Sequence, residues 1–389
     1  MIRLYHIGLT WVCVLIISLA GTLWVNGEEE LKDEEKMELN AKAAVLLDGH
    51  TGRVLYGKNE KIQLPMASTT KIMTCLIALE NSNPNDPVVF SDYAASMPDV
   101  QLNAVSGDMF YMKDLLYALM LESHNDVAVA IAEHIGKTEK EFAEMMNERA
   151  KEIGCAYTNF VTANGLDELN HYTTAEELGL ITIEALKNEQ FVKIINTSSY
   201  QFSTIDGKKN YQINNKNKFL QMMSGAYGVK TGFTNQAGYC FVGAIEYEGE
   251  SYVSVVLGSG WPPNQNWKWD DTKKLVEYGL ENYELQRNEE KLEAVGELFV
   301  DNGIENSVAL VAELKNDKFL INKEEKYVIH AIQDLKRNAP VLDNDIIGWV
   351  YGMVDDVIIE KAPVFAEKTV KKKTYGYCLF KTMELWMKL

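Results

Sequence analysis

Ser68 and Lys71, three residues apart in Pro65-Met66-Ala67-Ser68-Thr69-Thr70-Lys71, are the side chains in this sequence best placed to do chemistry. In a helix that spacing puts a hydroxyl and an amine on one face, close enough to exchange a proton. Ile72, Met73, Leu76, Ile77 and Leu79 follow and are apolar on nearly every side, which predicts a buried helix whose first turn alone reaches a cleft. Burial disfavours an ammonium, so a lysine at that place is a base for a serine nucleophile. The pattern Ser-x-x-Lys turns up about once by chance in a chain of this length, and an N-capping serine ahead of a solvated lysine is the plain alternative. The case for chemistry rests on what accompanies the pair.

That company is Ser123-His124-Asn125 and Lys230-Thr231-Gly232, which follow in the order of the motif triplet of penicillin-binding proteins and serine β-lactamases. With them the chain resembles the low-molecular-weight penicillin-binding proteins that are serine-type D-alanyl-D-alanine carboxypeptidases, peptidase family S11. The likeness also runs through Asp48-Gly49-His50-Thr51-Gly52-Arg53-Val54-Leu55-Tyr56, residues 65–74, Asn164-Gly165-Leu166-Asp167, His171-Tyr172-Thr173-Thr174-Ala175 and residues 229–238. It covers roughly residues 40 to 281 and, more weakly, the remainder.

The resemblance implies removal of the terminal D-alanine from a peptidoglycan stem pentapeptide through a Ser68 acyl-enzyme, and acylation by β-lactam antibiotics such as penicillin. It makes Ser68 the nucleophile, Lys71 the base and Ser123 a proton relay to the departing D-alanine. Asn125 is expected to hold the peptide amide. The Lys230-Thr231-Gly232 strand is expected to pair with the extended substrate, Thr231 and Lys230 facing its terminal carboxylate. The oxyanion would lie between the backbone N–H groups of Ser68 and Phe233, and Gly232 fits a close backbone approach that leaves no room for Cβ. Lys216, in Asn215-Lys216-Asn217, stands near where relatives often carry an arginine beside that carboxylate; a solvated surface lysine is the equal alternative. Phe233 stands where some relatives have histidine, so no side-chain role is carried over to it.

Three rivals share parts of this pattern. A serine β-lactamase must discharge its acyl-enzyme quickly, and class A enzymes do so with a Glu-x-x-x-Asn loop. The matching stretch, Leu166-Asp167-Glu168-Leu169-Asn170, has leucine four residues before the asparagine, and Glu168 reads as a turn residue. A non-catalytic peptidoglycan-binding protein would have no use for Lys71 beside Ser68. An endopeptidase that cuts cross-links would show the same motifs and stays open, as does the choice between a vegetative and a sporulation role.

These motifs need a scaffold to converge. Ala43-Ala44-Val45-Leu46-Leu47 and Arg53-Val54-Leu55-Tyr56 flank turn formers at 48–52 and read as a hairpin. Residues 113–121 and 127–134 have helical character, and Ser123-His124-Asn125-Asp126 interrupts them, which places Ser123 and Asn125 at a helix junction. Helices are expected around 139–153 and 174–186, the second capped by Thr173 or Thr174. Residues 227–234, 238–247 and 251–258 read as strands, Glu248-Gly249-Glu250 being a hairpin connector, and a helix over 271–278 closes the domain. Strands at both ends with helices between them define an α+β fold, a transpeptidase/β-lactamase-like domain whose antiparallel sheet is covered by a helical cluster. Short β-prone runs at 298–300, 307–314, 327–332, 346–353 and 357–359 predict a small all-β second domain over 283–367, a spacer or recognition module.

The 389 residues allow two domains, with 47% hydrophobic content for their cores. A net charge of -18 offers no basic stripe, so nucleic acid is not an expected partner. An apolar run at 7–25 behind Arg3 ends in Val25-Asn26-Gly27, which predicts export by a signal peptide over 1–27; a cut after Ala20 or a retained anchor are the alternatives. Residues 28–39 read as an acidic spacer before the catalytic domain at 40–282. Cys75, Cys155, Cys240 and Cys378 have no metal-like spacing and are expected to be free thiols; no metal or other cofactor is called for. Residues 368–389 reverse the charge, with six lysines against one glutamate, a balance of +5. From Tyr375 onward Lys381, Glu384 and Lys388 share one narrow face of a helix that is otherwise apolar. The run falls short of the about 20 residues a span needs, so it is expected to lie on the outer face of the cytoplasmic membrane as a peripheral anchor. Docking against the second domain is the alternative.

Overall fold

The computed structural model describes residues 37–288 and 295–388. The expected signal peptide, most of the acidic spacer and Leu389 lie outside the described residues, and Leu39–Leu389 form one compact unit. An antiparallel sheet carries the catalytic half. Its strands are β1 (Ala43–Asp48), β2 (Val54–Lys58), β3 (Ala226–Thr234), β4 (Gly238–Tyr247) and β5 (Glu250–Leu257), in spatial order β2-β1-β5-β4-β3. Two consequences follow from that order. The first hairpin joins the sheet through β1 and β5, so the two ends of the domain close on each other, and β3, which bears Lys230-Thr231-Gly232, is an edge strand.

Every residue of β1 is buried, because its run of small and aliphatic side chains is covered on both faces, as a central strand requires. Val45, Leu47, Val253 and Val255 point into the main core beneath the helices. On the other face α6 (Trp267–Asn282) packs over β4 and β5, with the Trp269 ring meeting Phe241 edge to face at 4.5 Å. This helix begins four residues ahead of the expected start at 271.

The helical layer contains α1 (Lys71–Asn81), α2 (Met112–Leu121), α3 (Asn125–Gly136), α4 (Glu139–Ile153) and α5 (Ala175–Leu186). Lys71 to Ala78 of α1 are all buried, as the unbroken apolar pattern implies. Thr174 caps α5, its hydroxyl accepting from the Glu177 N–H at 3.1 Å, and Thr138 caps α4 in the same manner. Neither Ser123 nor Asn125 caps α3: His124 occupies the cap position and no side chain accepts there. Two hairpins, Pro87–Val89 with Met109–Tyr111 and Ser199–Ser203 with Asn210–Asn214, went unanticipated because their short strands have too few apolar positions to show a period.

Beyond α6 the described residues are all β, apart from a terminal helix. A pair, β6 (Glu284–Arg287) and β9 (Lys318–Ile321), accompanies a six-stranded sheet. That sheet is built from β7 (Gly296–Asp301), β8 (Ser307–Ala312), β10 (Tyr327–Gln333), β11 (Lys336–Asn338), β12 (Ile346–Val354) and β13 (Val357–Ala366), ordered β10-β12-β13-β8-β7-β11. Its own core, around Leu298, Leu310, Val350 and Val364, is separate from that of the catalytic half. Buried polar groups join the two halves. Arg53 grips Glu325 with both guanidinium nitrogens, at 2.6 and 2.9 Å, and donates to the Leu320 carbonyl, while Asp48 accepts the Leu320 N–H at 2.9 Å.

The last helix, α7 (Tyr375–Trp386), starts at a Thr374 cap and has no buried residue. Docking against the second domain is therefore set aside: Trp386 is 83% exposed and Phe380 68%. Lys381 and Lys388 both pair with Glu384, at 2.8 and 2.9 Å, on the expected polar face. Among the described residues no helix is long and apolar enough to cross a membrane. Cys75, Cys155 and Cys240 are free and buried and Cys378 is free and exposed, as expected.

Candidate active site

Ser68 does not sit in the α-helix proper but in a 3-10 turn, Ala67–Thr70, that runs straight into α1. Ala67 enters it with φ of 50°, a left-handed conformation unusual for alanine. Two close backbone approaches lock this turn. A Cβ on Gly165 would fall 2.0 Å from the Ala67 carbonyl oxygen, and one on Gly232 would come within 3.0 Å of the Ser68 nitrogen and 3.1 Å of the Thr69 nitrogen. Only glycine lets the 160–170 loop and the edge strand close on the nucleophile from opposite sides.

Lys71 is fully buried, and its Nζ meets three oxygens: Ser68 Oγ at 3.0 Å, Asn125 Oδ1 at 2.8 Å and the Asn164 carbonyl at 2.5 Å. No carboxylate pairs with it among the described residues. Burial, and then the nearby charge of Lys230, hold its pKa well below the ordinary lysine value, with Asp126 opposing. The Asn164 carbonyl can only accept. Asn125 Oδ1 can only accept too, since its Nδ2 donates to the carbonyls of Pro98 and Asp99, both at 3.1 Å, which fixes the amide orientation. A neutral amine has two hydrogens for those two acceptors, so its lone pair is left facing the Ser68 hydroxyl.

The Asn125 amide is engaged by Lys71 and by the 98–99 loop, and so aims the base. Ser123 lies where the sequence placed it, at the α2–α3 junction, with φ of 73°. A serine in that region is strained, and such strain gathers at functional sites. Its Oγ is buried and has no hydrogen-bond partner, so it stands ready to accept or pass a proton.

Thr231, Gly232 and Phe233 line a cavity of about 600 Å³ together with Ser68 and Ser123, whereas Lys230 is buried and donates to its neighbour's carbonyl, Thr231 O, at 3.1 Å. Burial brings Lys230 down to about 7. Its charge also depresses Lys71. Phe233 is exposed, its ring tilted against that of Tyr239 with centroids 4.6 Å apart. Lys216 does line the cavity, but Glu122 holds it at 3.1 Å and largely cancels its charge.

Two cations of this cavity that sequence reasoning missed are Lys218 and Lys268. Lys268 lies over the rings of Tyr239 and Trp269 at 4.6 and 4.7 Å, donates to the Gln265 carbonyl, and has no carboxylate partner among the described residues. Burial, then Lys218, lowers it to about 8. Its signal, a lysine between Trp267 and Trp269, fell ahead of the expected helix start and so had no assigned face. Asn164 was missed for a different reason: it acts through a backbone carbonyl. Glu168 lies in another groove, with Tyr93 and Glu139, and does not line the Ser68 cavity, so the base of a class A β-lactamase is absent from the expected loop.

A profile of the D-alanyl-D-alanine carboxypeptidase family, peptidase S11, matches residues 30–260. D-alanyl-D-alanine carboxypeptidase DacF of Bacillus subtilis is 30% identical over 96% of the chain and 97% of its own length. A D-alanyl-D-alanine carboxypeptidase of a Streptomyces species is 31% identical over 72% of the chain and 99% of its own. Among solved structures, penicillin-binding protein 5 from Haemophilus influenzae superimposes with a TM-score of 0.71 at 27% identity, covering 86% of this chain and 99% of that one.

Replacing Lys71 with the uncharged, similarly shaped methionine (Lys71→Met) should leave circular dichroism and thermal unfolding near wild type while slowing acylation of Ser68 by a β-lactam by about a thousandfold or more. Acylation at a near-normal rate would remove Lys71 from the role of base.

Proposed function

Because the chain belongs to the D-alanyl-D-alanine carboxypeptidase family, S11, and is a serine-type carboxypeptidase and penicillin-binding protein, we propose that Ser68 is its nucleophile and Lys71 the base that activates it. The observation that carries this assignment is the buried Lys71, with no carboxylate partner among the described residues and its Nζ 3.0 Å from Ser68 Oγ.

The peptide lies along the open edge of β3, supported by the position of that strand at the end of the sheet. Lys71 takes the Ser68 proton as Oγ attacks the carbonyl of the penultimate D-alanine. The backbone N–H groups of Ser68 and Phe233 receive the oxyanion. Collapse of the tetrahedral intermediate breaks the peptide bond, and the proton returns from Lys71 through Ser123 Oγ to the departing D-alanine nitrogen. Water then attacks the ester with Lys71 again as base, freeing the tetrapeptide. Thr231 and Lys268 hold the terminal carboxylate, with Lys216 at the rim tempered by Glu122. Gly232 gives the strand its approach to Ser68. Residues 40–282 form the catalytic domain, and 283–367 a small β domain that spaces it from the tail.

The same reading places the exported protein at the outer face of the cytoplasmic membrane, α7 lying in the interface. Its support is a helix with Leu379, Phe380, Met383, Leu385 and Trp386 exposed, preceded by Lys371, Lys372 and Lys373, cations that no carboxylate neutralises among the described residues.

Incubation with a diacyl-D-Ala-D-Ala peptide should release D-alanine, and penicillin should leave a slowly lost adduct on Ser68 that is absent from Ser68→Ala. Rapid cephalosporin turnover without D-alanine release would contradict the carboxypeptidase assignment. Since Lys268 binds a carboxylate as the ammonium, kcat/KM for the peptide should fall as pH rises through about 8; in Lys268→Gln it should be about tenfold lower and flat across that range. The full chain should partition to anionic vesicles and release in high salt, whereas a chain ending at residue 370 should stay in solution. Equal partitioning of the two would contradict the anchor.

A further inference from the structure

We propose that His171 is a positioning residue of the acyl-transfer site, tying the turn that carries Ser68 to the loop whose Asn164 carbonyl aims Lys71. The inference rests on the roles given above to Ser68 and Lys71. His171 is buried, with its ring edge to face against Phe160 at 6.0 Å. Its Nδ1 accepts the backbone N–H groups of Val161 at 3.0 Å and Thr162 at 3.3 Å. A ring nitrogen that accepts carries no hydrogen, so the hydrogen is on Nε2, which donates to Thr70 Oγ1 at 2.8 Å. Thr70 stands between Ser68 and Lys71 in the sequence. One imidazole therefore bonds to the nucleophile's turn with one nitrogen and to the loop with the other.

The surroundings suit that single tautomer. Burial above all pushes His171 down to about 4, so the neutral ring with Nδ1 free to accept is the form at working pH. Neighbouring backbone keeps the residue in place: Tyr172 exchanges hydrogen bonds with Asn159, at 2.9 and 3.0 Å, and Thr173 with Leu64, at 2.8 and 3.0 Å. The loop thus pinned is the one that presses Gly165 against Ala67 and offers Asn164 O to Lys71. His171 does not line the substrate cavity. Its loss should therefore change the chemical step and not the binding that precedes it.

The test follows Ser68 acylation of the full chain by benzylpenicillin, using intact-mass time courses over a range of concentrations to separate the pre-covalent binding constant from the acylation rate constant. His171→Ala should lower the rate constant about ten- to a hundredfold, with binding changed by no more than about twofold. His171→Asn, whose Oδ1 can take the Val161 and Thr162 N–H groups, should recover part of the loss. Thr70→Val should slow acylation of the wild-type chain but add little in the His171→Ala background, since the two share one contact. If His171→Ala does not fold, the Asn and Thr70→Val variants decide the same question. A rate constant unchanged by these substitutions, a defect confined to binding, or full additivity of the two would overturn the inference. A wild-type chain that forms no Ser68 adduct would overturn the Ser68 reading itself, and this inference with it.

Discussion

Two lysines share one dry pocket in this protein, and no carboxylate pairs with either among the described residues. A buried ammonium without a counterion is costly, and two within Coulombic reach are costlier, so the pair favours a neutral Lys71. Most of the local architecture serves that condition. α1 is apolar on every side, which keeps water from Lys71. Asn125 and the Asn164 carbonyl supply acceptors but no charge, so they orient the amine without restoring its proton. Asp126, the nearby acid whose charge opposes this, is occupied by the N–H groups of Leu102, Asn103 and Val127. A base built this way draws its strength from desolvation, in contrast to one oriented by an adjacent carboxylate.

The nucleophile is held by backbone closeness more than by side-chain bonds. Gly165 and Gly232 admit the loop and the edge strand to either side of Ser68, while Ala67 and Ser123 hold left-handed conformations at the margins of the site. Such conformations persist only where the surrounding structure over-determines them. Here the five-stranded sheet on one side and the interlocked helices on the other do so. The substrate face is correspondingly simple, an unpaired strand edge and a cavity lined by Lys268 and Lys218, with the charge of Lys216 offset by Glu122.

Much of this was legible in the sequence, since the motifs depend on side-chain identity at short spacing. Ser68 and Lys71, Ser123 at a helix junction, a strand at Lys230-Thr231-Gly232, the closing β-hairpins, the all-β second half and the amphipathic tail all follow from residue type and period. What was not legible depends on tertiary direction. The orientation of Asn125 is one such feature, since only the placement of the Pro98 and Asp99 carbonyls shows which way its amide points. The burial of Lys230 within reach of Lys71 is another. Asn164 works through an atom every residue possesses, and Lys268 belongs to a helix whose first turn is rich in Trp, Lys and Asp, weak as a helix signal.

The central claim is that Lys71 is a neutral amine in the resting protein. Its most direct measurement is an NMR titration of the side-chain amines in lysine-labelled protein, with Lys71 assigned by the signal lost in a Lys71 variant. The account predicts that Lys71 titrates well below the surface lysines and is largely uncharged at the pH where Ser68 acylates fastest. A Lys71 that keeps its proton up to the ordinary value of about 10.4 would contradict it.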